Sequence, residues 1–278
     1  MKVVSIDLET LTKQYFYFNK PVDYKLKDKN IVNIYPVNVK DSEFFLWSID
    51  ILMIDKNASS DPKIIQMSYL QFICDYLITN ESYKQKLINL LILCLKIRDP
   101  IIERDKLNRP SIYSKEQNLS ISFRDFDDIK RIILYQNLIH YDDTYINPDL
   151  KKAIEEMEEI KQRQYDFPTL ERKIGIITAH TGIISKIQMD MTLREHSILF
   201  EEVSGEVEYL TIRPVAVFTG HDDEISHWIY RKKENKMDKY ITSLDDYTKK
   251  FGGNQVLQSS NSQLGDFYDI QFNNFNRK

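Results

Sequence analysis

Glycine is scarce in this chain, with only 7 in 278 residues where a share of about 7% is usual. That shortage argues against glycine-rich phosphate loops and against a barrel or sandwich closed by many tight turns, so helices are expected to dominate. Cysteine is scarcer still. Cys74 and Cys94 sit in apolar runs without Cys-x-x-Cys spacing, which gives neither a disulfide framework nor a zinc site. Both are expected to be reduced core residues of a cytosolic protein. The sequence also lacks a Gly-x-Ser-x-Gly turn, a Walker loop and a His-Glu-x-x-His pair, three common carriers of chemistry.

No charge of one sign prevails. The 38 basic and 42 acidic residues are mixed along the chain and leave a net charge of −4. No basic stripe is therefore available to neutralise phosphates, and nucleic acid is not an expected partner. Long hydrophobic runs are missing too. The most apolar stretch, 87–97, is about half the length a bilayer crossing needs, so no membrane partner is expected. The short apolar start after Lys2 is broken by Asp7 and Glu9 before a signal-peptide core can form.

What the chain does hold is core material. Hydrophobic residues make up 42% and aromatics 12%, including 17 Tyr and 14 Phe, enough to offset the entropy of ordering a sizeable body. The expected fold is mainly α with a small N-terminal β element, an α+β chain with a helical bundle-like body. Five sections are expected: a helix plus β element over 1–60, a helical segment over 61–98, a polar connector over 99–121, a helical domain over 122–234 and an irregular polar tail over 235–278.

Local signals place these elements. Residues 7–14 suit one or two helical turns, and 31–39 alternate like a half-buried strand, with Pro36 confining it to an edge or bulge. Pro62 opens a helix expected to run to about Thr79, with Asn80 or Ser82 capping the next one, which ends before Asp99-Pro100. A short strand is expected at 119–123. Ser122-Phe-Arg-Asp125 and Thr192-Leu-Arg-Glu195 have capping-box spacing, and Asn147-Pro148 is an N-cap followed by proline at the first helical position. After Thr192, Leu193, Phe200 and Val207 alternate with His196, Val203 and Leu210 in a seven-residue repeat. This seam is too short for a free coiled coil and is expected to pack inside the domain, with Pro214 kinking or ending the helix.

Two clusters raise the question of chemistry. Val3-Val-Ser-Ile-Asp-Leu-Glu9 reads like the metal-binding strand of an exonuclease, which needs four carboxylates around two ions. Asp143 of His140-Tyr-Asp-Asp143 and Asp238 are the remaining acidic candidates, and both sit in unsuitable contexts: a helix exit and a lysine-rich tail. Ile6, Leu8 and Leu11 instead suit an amphipathic turn. Gly220-His-Asp-Asp-Glu-Ile-Ser-His227 could hold a divalent metal, but Asp222 and Asp223 ahead of Ile225 and Trp228 also read as an acidic helix start. No enzyme, metal or cofactor is expected, and an exonuclease using Asp7, Glu9 and Asp143 is the alternative.

The features left over are surfaces. Tyr15, Phe16, Tyr17 and Phe18 are four consecutive aromatics that cannot all point inward, so they are candidate partner-binding residues. The blander reading puts two or three of them in the core. The second candidate is the charged helix expected over 149–164, whose narrow apolar side carries Leu150, Ile154, Met157 and Ile160 and is either a docking seam or the underside of a wet face.

Several phrases also resemble a known family: Tyr17-Phe-Asn-Lys-Pro-Val22, Ile34-Tyr-Pro-Val-Asn-Val-Lys-Asp41, Ile54-Asp-Lys56, Met67-Ser-Tyr-Leu70, Leu134-Tyr-Gln-Asn137, Tyr141-Asp-Asp-Thr-Tyr-Ile-Asn-Pro-Asp149 and Pro168-Thr-Leu-Glu171. In this order they resemble the baseplate hub or tail-assembly proteins of large contractile-tailed bacteriophages, and more loosely the tail-assembly chaperones. The resemblance spans residues 17–171. It implies a non-enzymatic assembly protein in the host bacterial cytoplasm, with a tape measure or hub subunit as partner, or else a structural subunit retained in the baseplate of the virion.

Overall fold

A computed structural model describes residues 7–59, 61–143, 156, 168–220 and 227–229. The chain divides into two units, 1–222 and 223–278. The second is described only at 227–229, where the His227 and Trp228 rings stack at 4.1 Å. The described residues of the first unit are mainly α with two small antiparallel sheets.

Asp7 caps helix α1 (Leu8–Gln14), its carboxylate accepting from the Thr10 amide at 3.2 Å. One 3-10 turn, Phe16–Phe18, ends at Asn19, which takes a left-handed conformation with φ 52°. The chain then forms a hairpin of β1 (Val22–Lys25) and β2 (Ile31–Ile34), with Val22 opposite Ile34. β2 is shorter than its alternation suggests. It stops before Pro36, and Val39 already begins another 3-10 turn.

Helix α2 (Ser42–Met53) follows. Its sequence, SEFFLWSIDILM, is apolar almost all round, so it shows no clean amphipathic period. Phe45, Ile49, Ile51 and Leu52 are buried, whereas Phe44, Leu46, Trp47 and Met53 are exposed. The single helix expected from Pro62 to Thr79 is broken into α3 (Pro62–Gln66), α4 (Tyr69–Phe72) and a π turn at Ile73–Leu77. Ser68 causes the break: its hydroxyl caps the Gln71 amide at 3.2 Å, and serine favours such a cap over a place inside a helix. α5 (Glu81–Leu95) has Asn80 as its N-cap and ends at Lys96, left-handed with φ 58°.

The polar connector expected over 99–121 is instead a three-stranded antiparallel sheet: β3 (Pro100–Arg104), β4 (Pro110–Ser114) and β5 (Leu119–Ser122). Both prolines stand at the first residue of their strand, the position where a missing N–H is tolerated. Ile112, Leu119 and Ile121 send their side chains into the core. α6 (Phe123–Asn137) is capped by Ser122, which accepts from the Asp125 amide at 3.3 Å.

α7 (Leu170–Thr181), α8 (Ser185–Asp190) and α9 (Leu193–Thr219) complete the described part of this unit. Thr169 and Thr192 are the N-caps of α7 and α9. Pro214 neither ends nor breaks α9, which continues to Thr219 and a left-handed Gly220. One apolar cluster joins Phe16, the hairpin, α2, α4, α5, the second sheet and α6, so 7–138 share one core across the expected section boundaries.

Candidate docking surface and the cleft beside it

The four consecutive aromatics divide. Phe16 is 4% exposed and belongs to the core, and Tyr15 packs half-buried against it. Tyr17 and Phe18 stand 67% and 62% exposed. Their backbone is pinned from both sides. Below, the Arg194 guanidinium lies 5.5 Å from the Phe16 ring and donates to the Tyr135 carbonyl at 3.1 Å. Beyond, the Thr192 hydroxyl donates to Asn19 Oδ1 at 2.8 Å. Lys20 Nζ covers one side of the Phe18 ring at 5.2 Å, leaving the rest of both rings in water.

A cleft of about 370 Å³ opens next to this turn, lined among others by Asn19, Tyr35, Pro36, Lys96, Asp190 and Glu195. Backbone bonds between distant segments frame it. Val39 N donates to the Met191 carbonyl at 2.9 Å, Leu193 N to the Val37 carbonyl at 2.8 Å and Tyr35 N to the Cys94 carbonyl at 2.7 Å. Val37 N donates to the buried Asn137 Oδ1 at 2.8 Å. Lys96 Nζ lies 5.4 Å from the Tyr35 ring. Lys40 bonds Asp190 at 2.8 Å; that hydrogen bond holds the Asp190 carboxyl below its ordinary range and raises the Lys40 ammonium.

Of the acidic residues weighed for a nuclease, Asp7, Glu9 and Asp143 are engaged locally. Asp7 caps α1, and its hydrogen bonds from Thr10 lower its carboxyl pKa. Glu9 pairs with Lys13 at 2.5 Å, while Asp143 takes Arg131 and the Tyr135 hydroxyl, both at 2.5 Å. Among the described residues no group of three or more His, Cys, Asp or Glu could hold a metal ion. His140 pairs with Glu201 at 2.5 Å and His180 with Glu206 at 3.0 Å. His196 is buried against Gln188 at 3.2 Å, and desolvation pushes its pKa down. Asp238, residues 221–226 and the seam residues Leu150, Ile154, Met157 and Ile160 lie outside the described residues; Glu156 is helical and exposed.

Two features escaped the sequence. One is the exposed apolar side of α2, hidden because the helix itself shows no period. The other is Lys130, whose Nζ lies 3.2 Å from the Tyr69 ring centroid, where burial pushes its pKa down to about 8. Its neighbour Asp127 accepts from the Tyr69 amide at 3.0 Å and is pushed up by burial. Both cysteines are free and buried.

These features give the first unit an α+β body with an aromatic turn, anchored at Phe16 and Asn19, beside a polar cleft. No family model, no curated protein and no solved structure matches the chain, and no helix among the described residues is long and apolar enough to cross a membrane.

Proposed function

We propose that this chain is a non-enzymatic assembly protein of a contractile phage tail or baseplate, acting in the host bacterial cytoplasm and binding a tail partner such as the tape measure or a hub subunit. The observation that carries the reading is the solvent exposure of Tyr17 and Phe18 on a turn fixed by Phe16 below and by the Asn19–Thr192 hydrogen bond beside it. An aromatic ring on a backbone anchored at both ends leaves only its side-chain torsions to be ordered on binding and recovers about 2 kcal/mol of burial. Such rings are the commonest anchors of protein interfaces. The family-like phrase Tyr17 to Val22 covers the turn itself, which joins the resemblance to the surface.

The test replaces Tyr17 and Phe18 with serine in the full chain and follows tail assembly in infected cells. Tail yield and co-purification of the tail partner are expected to fall together. Asp7→Ala and Glu9→Ala, which alter only the α1 cap and a surface ion pair, are expected to leave assembly intact. A normal yield of tails from the double serine variant would refute the reading. Mass spectrometry of purified particles distinguishes an assembly factor, absent from them, from a retained baseplate subunit.

A further inference from the structure

The seven-residue seam of α9, expected to pack inside the domain, does so only over its first half. His196 is buried against Gln188 of α8 at 3.2 Å, Val203 is buried, and Lys173 of α7 lies 5.3 Å from the Phe200 ring. After Glu206 the helix continues for about 20 Å, and over 207–219 only Ala216 is buried. Val207, Leu210, Pro214 and Val217 prolong the seam at intervals of three, four and three, which keeps them in one stripe. All four are exposed, and Phe218 on their border is 90% exposed.

That stripe carries no charge. Glu208 and Arg213 are the only charged residues over 207–219, and neither faces it. Glu208 lies about 140° round the helix from the centre of the stripe. Arg213 donates to the Tyr209 hydroxyl one turn back and sits 5.3 Å from the same ring, so its charge is drawn off to the flank. The threonine hydroxyls are also used within the helix: Thr211 donates to the Val207 carbonyl at 2.7 Å and Thr219 to the Val215 carbonyl at 3.0 Å. A charged partner finds nothing to pair with on this side of α9, whereas an apolar one does.

We propose that the stripe is the contact face of a homodimer, in which α9 of a second copy lies antiparallel across it. A two-fold contact must be its own complement, and the intervals three, four and three read the same in both directions. With the axis at residue 212, Val207 of one copy lies opposite Val217 of the other, and Leu210 opposite Pro214. An unrelated partner imposes no such palindrome. The direction follows from the rest of the helix. The stripe continues the line of His196 and Val203, which the body already covers, so a parallel copy would run into that body. An antiparallel copy leaves past Phe218 instead. The exposed Val207, Leu210, Pro214, Val217 and Phe218 of the two copies would together bury roughly 1,000 Å², which reaches the area a specific interface needs.

Light scattering on the full chain tests the association. Twice the chain mass is expected at micromolar concentration, and Leu210→Asp, a change at an exposed position, is expected to weaken the dimer at least 100-fold with the circular dichroism unchanged. A monomeric wild type would give the face to another occupant and overturn the proposal, as would a dimer indifferent to Leu210→Asp. Disulfide trapping tests the direction. Residues 207 and 217 of one helix are about 15 Å apart, too far to bridge, so Val207→Cys with Val217→Cys is expected to link two chains under mild oxidation. Cys74 and Cys94 are buried and stay out of the reaction. Val207→Cys alone is expected to remain a free thiol. Efficient linking of that single variant would show parallel copies, and no linking of the double variant would show that the stripes do not meet; either result overturns the proposal.

Discussion

The ammonium of Lys130 sits 3.2 Å from the centroid of the Tyr69 ring, joining α6 to α4 inside the body. Burial outweighs the attraction of Asp127 and Asp55, so the amine titrates near 8 in place of its ordinary 10.5. A base whose folded pKa is lowered binds fewer protons folded than unfolded between those two values, so its contribution to stability rises with pH across that window. Urea melts at pH 7 and pH 9 are expected to show the wild type gaining about 1 kcal/mol relative to Lys130→Met. An equal pH response in the two proteins would show that the amine is hydrated.

Thr192 has two tasks at the start of α9. Its hydroxyl accepts from the Glu195 amide at 3.1 Å and donates to Asn19 Oδ1 at 2.8 Å. Thr192→Val keeps the shape and removes both bonds, with an expected loss of about 1–2 kcal/mol in chemical denaturation. Thr192→Ser is expected to restore most of it.

Adjacent positions of α2 should behave oppositely. Phe45 is fully buried and Phe44 is 64% exposed. Phe45→Ala is expected to cost about 3–5 kcal/mol through transfer and cavity terms, whereas Phe44→Ser should stay within about 0.5 kcal/mol. Thermal unfolding of the two variants checks the register of a helix that the sequence pattern does not reveal.

The cysteines provide a probe of the core. Burial raises the Cys74 thiol to about 11 and the Cys94 thiol to about 12, so little thiolate exists near neutrality. At pH 8 the native chain is expected to react with a thiol reagent many-fold more slowly than the chain in guanidinium. Fast modification of Cys94 without denaturant would contradict the packing of α5.

Helix starts were the most legible part of this sequence. Asn80, Ser122 and Thr192 all act as N-caps, because a capping side chain and the amide it satisfies are only two or three residues apart. Elements whose logic is tertiary were not legible. α2 hides in a largely apolar run with no clear period, and β3 and β4 lie in a polar stretch whose prolines stand at strand starts. The cleft joins residues near 19, 36, 96 and 192, a meeting that no local pattern encodes. Of the aromatic turn, the sequence could say that its rings must split between core and water, but not which ring goes where.

Among the described residues β3 pairs only with β4, which leaves its outer side as an open edge, and Ile101 lies exposed on it. Open edges invite strands from other molecules to add on. Here the invitation is brief: Pro100 contributes no donor at one end, and at the other Arg104 is drawn away to Asp75 at 2.7 Å. An incoming strand would find only a few residues to pair with, so the proline and the ion pair guard this edge against unwanted stacking.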